Sequence, residues 1–159
     1  MRVLGFDPGE TTGLVEARFD DDGFHVVHAV DVAWENRFSL MYYLYCGTPT
    51  QGPLVELPDI VIVESFHLYA RKAASQIGNF FPSVRIIGMI EAFLYTWPCE
   101  YPHEREIIFQ PASNISLVAI QPEHGMMLGS AHTIDAYKHV RYFYVTQWRS
   151  GKWKKRVPS

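Results

Sequence analysis

Two short apolar runs, Val3 to Asp7 and Asp59 to Glu64, each end on a carboxylate. Continuous apolar segments of this length predict strands buried on both faces of a sheet. After Asp7 come a Pro-Gly-Glu-Thr-Thr-Gly turn, a second strand around Leu14 to Phe19, an acidic turn at Asp20 to Gly23 and a third strand from Phe24 to Val32. These predict a three-strand meander. Trp34 to Cys46 carries apolar residues at helical spacing and stops before Gly47, a C-cap residue. Thr48 to Pro58 reads as a loop, and Tyr69 to Trp97 as a long, mostly helical region that Pro82 must interrupt or restart. Ile107 to Phe109 is a short strand before an irregular Gly- and Met-containing stretch, and Ser130 to Gln147 is the last helix, with Ser130 as N-cap. A meander followed by alternating helices and strands predicts an α/β domain, a mixed five-stranded sheet with helices on both faces.

Composition narrows the class. With 159 residues, 48% hydrophobic and 19% charged, the chain has room for one core and is not a disordered polymer. Cys46 and Cys99 show no metal-type spacing and fit a reduced intracellular compartment. The N-terminal residues lack signal-peptide features and no run approaches the ~18 apolar residues of a membrane span, so a soluble cytoplasmic protein is expected. The net charge is −3, yet the segment from Ser130 to Ser159 holds seven Lys or Arg against the single Asp135. The expected division is a globular domain over residues 1–147 and a basic tail over 148–159.

The chemistry sits on the polar ends of the apolar runs. If the strands ending at Asp7 and Glu64 lie side by side, two carboxylates meet at one sheet edge, where a divalent cation would offset their charge. His132 and Asp135 are three residues apart and share a helix face. Packed against that edge, the helix would complete a set of three carboxylates and one imidazole. Oxygen-rich sites with one imidazole suit Mg²⁺ or Mn²⁺, and two such ions about 4 Å apart support phosphodiester hydrolysis.

Gly5-Phe6-Asp7-Pro8-Gly9 with Thr12-Gly13, the apolar strand ending in Glu64, and His132-Thr133-Ile134-Asp135-Ala136 together resemble the RuvC-type Holliday junction resolvases of the ribonuclease H-like superfamily. The resemblance runs from Arg2 to about Tyr144, with weaker matches at Gly88 to Leu94 and Gln110-Pro111. It implies a homodimeric, structure-selective endonuclease that nicks opposing strands of a four-way DNA junction with two Mg²⁺ ions per site. Asp7 would bridge both ions, Glu64 would bind one, and His132 with Asp135 would complete the other. Similar proteins often carry Asp where His132 stands, so Mn²⁺ is a second expected metal. The departures from the cellular pattern suggest a phage-encoded member, at work in an infected bacterial cell.

DNA grip departs from the resemblance as well. Similar proteins place lysines between the last strand and the last helix, but Ala112 to Ser130 contains no Lys or Arg. The expected phosphate contacts are therefore Arg71, Lys72, Lys138, Arg141 and the tail residues Lys152, Lys154, Lys155 and Arg156. Phe66, His67 and Tyr69 follow Glu64, where the family places an aromatic wedge. Ile86, Ile87, Met89, Ile90, Phe93, Leu94 and Trp97 are more apolar residues than one helix face normally buries, which suggests a dimer surface. Competing readings are a ribonuclease H-like nuclease acting on forks, flaps or RNA, a sugar-kinase or actin-like ATPase, and a catalytically inactive branched-DNA-binding protein. The ATPase folds need two such domains, and four competent ligand positions argue against an inactive protein.

Overall fold

The computed structural model describes residues 1–46, 58–66, 80–96 and 106–153. The meander forms as the sequence predicts, from β1 (Arg2–Asp7), β2 (Thr11–Phe19) and β3 (Phe24–Ala33), and β4 (Ile60–Glu64) and β5 (Glu106–Gln110) extend it into a sheet of order β3-β2-β1-β4-β5. The meander is antiparallel, whereas β1, β4 and β5 run parallel. This is the mixed five-stranded α/β sheet expected, and its two central strands β1 and β4 are almost wholly buried.

Side-chain alternation splits the core in two. On one face, Val3, Val15, Ile60 and Ile62 pack against Ala136, Tyr137, Val140 and Phe143 of a helix over Ala131–Phe143. On the other, Leu4, Phe6, Leu14, Val61 and Val63 meet Leu40 and Leu44 of α1 (Ser39–Cys46) and Ile86 and Ile90 of α2 (Pro82–Thr96). The Ala131–Phe143 helix is called α3 below; a single helical turn at Pro122–Gly125 precedes it. At the start of β1, Arg2 and Glu16 form a buried ion pair at 2.8 Å.

Three expectations shift in detail. The helix predicted from Trp34 is divided into a 3-10 turn, Trp34–Asn36, and α1, because the Trp34 amide donates to the Glu10 carbonyl at 2.7 Å and ties that turn to the β1–β2 connection. Within the region expected to be helical, α2 begins at Pro82, which needs no amide donor there. Ile87, Met89, Phe93 and Leu94 of α2 pack against their own domain, which leaves Val84 and Tyr95 as its exposed large apolar residues; Trp97 lies outside the described residues. The segment expected as a free tail is seated as far as Trp153. Trp148 lies 6.0 Å from Phe19, Trp153 lies 6.1 Å from Phe143, and the Trp153 indole donates to Glu106 at 2.9 Å. Two tryptophans bury too much apolar surface to be left in solvent. Among the described residues no helix is long and apolar enough to cross a membrane.

Candidate functional site

Register brings the first two carboxylates together. Phe6 pairs with Val63 across the parallel β1–β4 ladder, so one residue further on Asp7 and Glu64 stand side by side at the strand ends. The third element is α3, whose N-terminus is fixed by a capping box. The Thr133 amide donates to Ser130 Oγ at 3.1 Å and the Ser130 amide donates to Thr133 Oγ1 at 3.1 Å. Ser130 Oγ also donates to Asp31 of β3 at 2.7 Å, fastening the helix start to the sheet.

Two glycines let the helix come close. A Cβ on Gly13 would collide with the His132 carbonyl and lie 2.8 Å from the Thr133 amide, and one on Gly5 would collide with Val140 and lie 2.9 Å from the Ala136 carbonyl. Gly13 is also the register partner of Asp7. The turn that carries Asp7 therefore also receives the backbone of His132.

His132 Nδ1 lies 3.0 Å from Asp7 Oδ2. A ring protonated at Nδ1 donates to that carboxylate and keeps the Nε2 lone pair for a cation. The Asp7 carboxyl is pushed above its ordinary value, chiefly by burial, with the His132 hydrogen bond opposing and the charges of Glu64 and Asp135 adding to the rise. Asp7, Glu64, His132 and Asp135 thus share one electrostatic environment. As the side chains stand, no three ligating groups among the described residues converge on a common point. Three like-charged carboxylates repel one another without a counter-ion, and this donor set of oxygens plus one imidazole has the chemistry of a Mg²⁺ or Mn²⁺ site.

One residue of the site escaped the sequence reading. His139 is fully buried, with Nε2 3.0 Å from Glu64 Oε2 and Nδ1 3.0 Å from Gln110 Oε1. Glu64 and Gln110 are register partners on β4 and β5, so one imidazole braces both strand ends. The seven-residue spacing from His132 was the available signal, since two helical turns place both on one face.

The expected DNA contacts are distributed unevenly. Lys138 lies 3.5 Å from Asp135, beside the site. Arg141 is at the opposite end of the sheet, donating to Gln121 at 2.6 Å and lying 5.7 Å from the Phe24 ring centre. Lys152 is exposed, and Phe66 is partly exposed and 5.4 Å from Phe81. Arg71, Lys72, His67, Tyr69, Lys154, Lys155 and Arg156 lie outside the described residues.

The fold aligns over nearly its whole length with solved resolvases. RuvC of T. thermophilus in complex with a Holliday junction substrate aligns with a TM-score of 0.54 at 17% identity, covering 96% of this chain and 97% of that one. The Fowlpox virus resolvase in complex with Holliday junction DNA aligns at 0.53 and 14% identity, covering 94% and 98%. The chain has the RuvC-type, ribonuclease H-like fold. A second Fowlpox virus Holliday junction resolvase structure aligns at 0.52 and 14% identity, covering 94% and 99%. No protein-family model and no curated protein matches by sequence. At such identities the RuvC-type likeness is one of backbone, and the chemistry rests on the side chains at the β1–β4 edge.

Proposed function

We propose that the protein is a metal-dependent endonuclease that resolves four-way DNA junctions by paired nicks, acting as a homodimer. The observation that carries this reading is the pair Asp7 and Glu64 side by side at the β1–β4 edge of a RuvC-type fold, with His132 of α3 3.0 Å from Asp7. Asp7 would contact both ions, Glu64 one, and His132 with Asp135 the other. When bound, the ions would supply a hydroxide near neutral pH and stabilise the leaving oxygen of the cleaved phosphodiester.

The chain's own residues would prepare that chemistry. The Asp7 side chain is mostly buried, and the His132 hydrogen bond fixes its orientation. His139 holds the Glu64 carboxylate in one rotamer, as partners behind metal ligands commonly do. Lys138 offers a cation beside Asp135 for a DNA phosphate.

The test is incubation with a synthetic four-way junction, a fork, a flap, a linear duplex and an RNA–DNA hybrid, with Mg²⁺ or Mn²⁺ and with product strands mapped. Symmetric nicks confined to the junction are expected. Preferential cutting of the hybrid or the fork would replace this reading with the broader nuclease one.

A further inference from the structure

The face of the sheet opposite α3 carries an aromatic and cationic cluster beside the Asp7 turn. The Arg37 guanidinium lies 4.3 Å from the Trp34 ring centre and 4.6 Å from that of Phe38. Trp34 and Phe80 meet edge to face at 4.9 Å, and Arg85 lies 4.8 Å from the Phe80 ring centre. The groups thus follow one another in the order Phe38, Arg37, Trp34, Phe80, Arg85, with the two rings Trp34 and Phe80 in direct contact, drawn from the start of the α1 region and the start of α2.

Two hydrogen bonds place this ladder at the site. The Trp34 amide donates to Glu10 at 2.7 Å, and Ser83 Oγ donates to the Pro8 carbonyl at 2.7 Å, so both halves grip the turn that follows Asp7. Phe38 is 66% and Phe80 50% exposed, well above what packing alone requires of a phenylalanine. Neither Arg37 nor Arg85 forms an ion pair with a carboxylate among the described residues. Arg37 Nη1 donates to the Trp34 carbonyl at 3.1 Å, and the remaining N–H groups of the two guanidiniums are left for phosphate oxygens, while the exposed rings offer faces to bases.

We propose that this ladder is a stacking platform for unpaired nucleotides of the DNA strand that runs past the Asp7 edge. A paired base hides both faces in its stack, so exposed rings select unstacked bases, and the two arginines neutralise the backbone between them. Glu35 lines the recess beyond Phe38, which sets the far limit of the strand's path by charge repulsion. The inference rests on the nuclease reading and names the substrate feature that would sit next to its site.

Binding of the full chain to a fluorescent oligothymidylate and to a blunt duplex of equal length, both in EDTA, tests it without cleavage. The double variant Phe38→Ala with Phe80→Ala should weaken oligothymidylate binding by roughly five- to a hundredfold and leave duplex binding unchanged. The variant Phe38→Trp with Phe80→Trp should retain the affinity, and thermal melting checks that both variants fold. Arg37→Gln and Arg85→Gln should each flatten the salt dependence on the single strand by about 0.7 in log–log slope. Unchanged single-strand affinity in the alanine variant, or an equal loss on duplex, would overturn the platform. Because no cleavage is read, loss of the platform leaves the nuclease proposal standing, and failure to cut junctions leaves the platform standing.

Discussion

The imidazole of His139 stands between Glu64 and Gln110, 3.0 Å from each. Nδ1 faces the Gln110 oxygen, so a neutral ring satisfies both partners when Nε2 donates to the carboxylate and the Gln110 amide is turned to present its nitrogen to Nδ1. His139→Ala should raise the Mg²⁺ concentration needed for half-maximal nicking by about 10- to 100-fold, with junction affinity in EDTA unchanged. A metal titration of nicking rate alongside a binding isotherm separates this from general damage, and unchanged metal dependence would assign His139 to packing alone.

Asp7→Asn should abolish nicking and leave junction binding in EDTA largely intact. The Asp7 carboxyl is raised above its ordinary 3.8, so the folded state holds its proton more tightly than the unfolded chain does. Ionised Asp7 therefore costs stability above that pH, and the cost grows as pH rises through the folded value. In metal-free protein at neutral pH the asparagine variant should melt a few degrees higher than the parent. Mg²⁺ should raise the parent's melting temperature more than the variant's, because only the parent gains the missing counter-charge.

Gly13→Ala should cost about 1–3 kcal/mol, since the new Cβ meets backbone atoms of His132 and Thr133 that cannot swing aside. Nicking should fall further than stability does, because the helix start carrying His132 must move. Gly88→Ala supplies the contrast. Gly88 lies within α2, where an added Cβ meets nothing within 4 Å among the described residues, so this change should stabilise by about 0.5–1 kcal/mol. Melting curves of both variants decide the matter.

His124 is buried beside Phe24 and Tyr137, with Nδ1 3.3 Å from the Tyr137 hydroxyl. Burial holds its imidazole below the ordinary 6.5, with the Arg141 and His25 charges adding to the effect and Glu123 opposing it. The unfolded chain therefore binds this proton first as pH drops. The stability that neutral His124 provides is full above about pH 6.5 and is lost as pH falls toward the folded value. His124→Asn should flatten the fall in melting temperature between about pH 7 and pH 5. An equally steep fall in the variant would place the sensitivity elsewhere.

Truncation should begin after Trp153. Removing residues 154–159 takes away Lys154, Lys155 and Arg156 and should lower the salt slope of DNA binding with little change in melting temperature. Truncation before Trp148 removes two packed indoles as well and should lower the melting temperature sharply. Comparison of the two truncations distinguishes charge from packing.

The sheet was legible because its apolar runs and turn residues are local signals: Val3 to Asp7 and Ile60 to Glu64 form strands wherever they are buried. The α3 cap was legible for the same reason, as Ser130 acts within its own turn. The seat of Trp148 and Trp153 was not, because a basic stretch conceals how two rings find Phe19 and Phe143 across the fold. His139 could have been found from its spacing to His132, but its partners Glu64 and Gln110 come from separate strands. The Arg37 and Arg85 ladder lay beyond sequence reading, since Trp34 and Phe80 are brought together only by tertiary packing.

The contact of α3 with Gly5 and Gly13 has a mechanical consequence. Where side chains separate two elements, rotamer changes let one element drift against the other by fractions of an ångström. At Gly13 the helix backbone rests on strand backbone, with no rotatable side chain as a spacer; at Gly5 the Ala136 carbonyl approaches in the same way beside the Val140 methyl. Such a bearing works like a machinist's reference face. It sets the depth of His132 relative to Asp7 before any ligand arrives, so side-chain substitutions elsewhere in the core can loosen the domain without changing that depth.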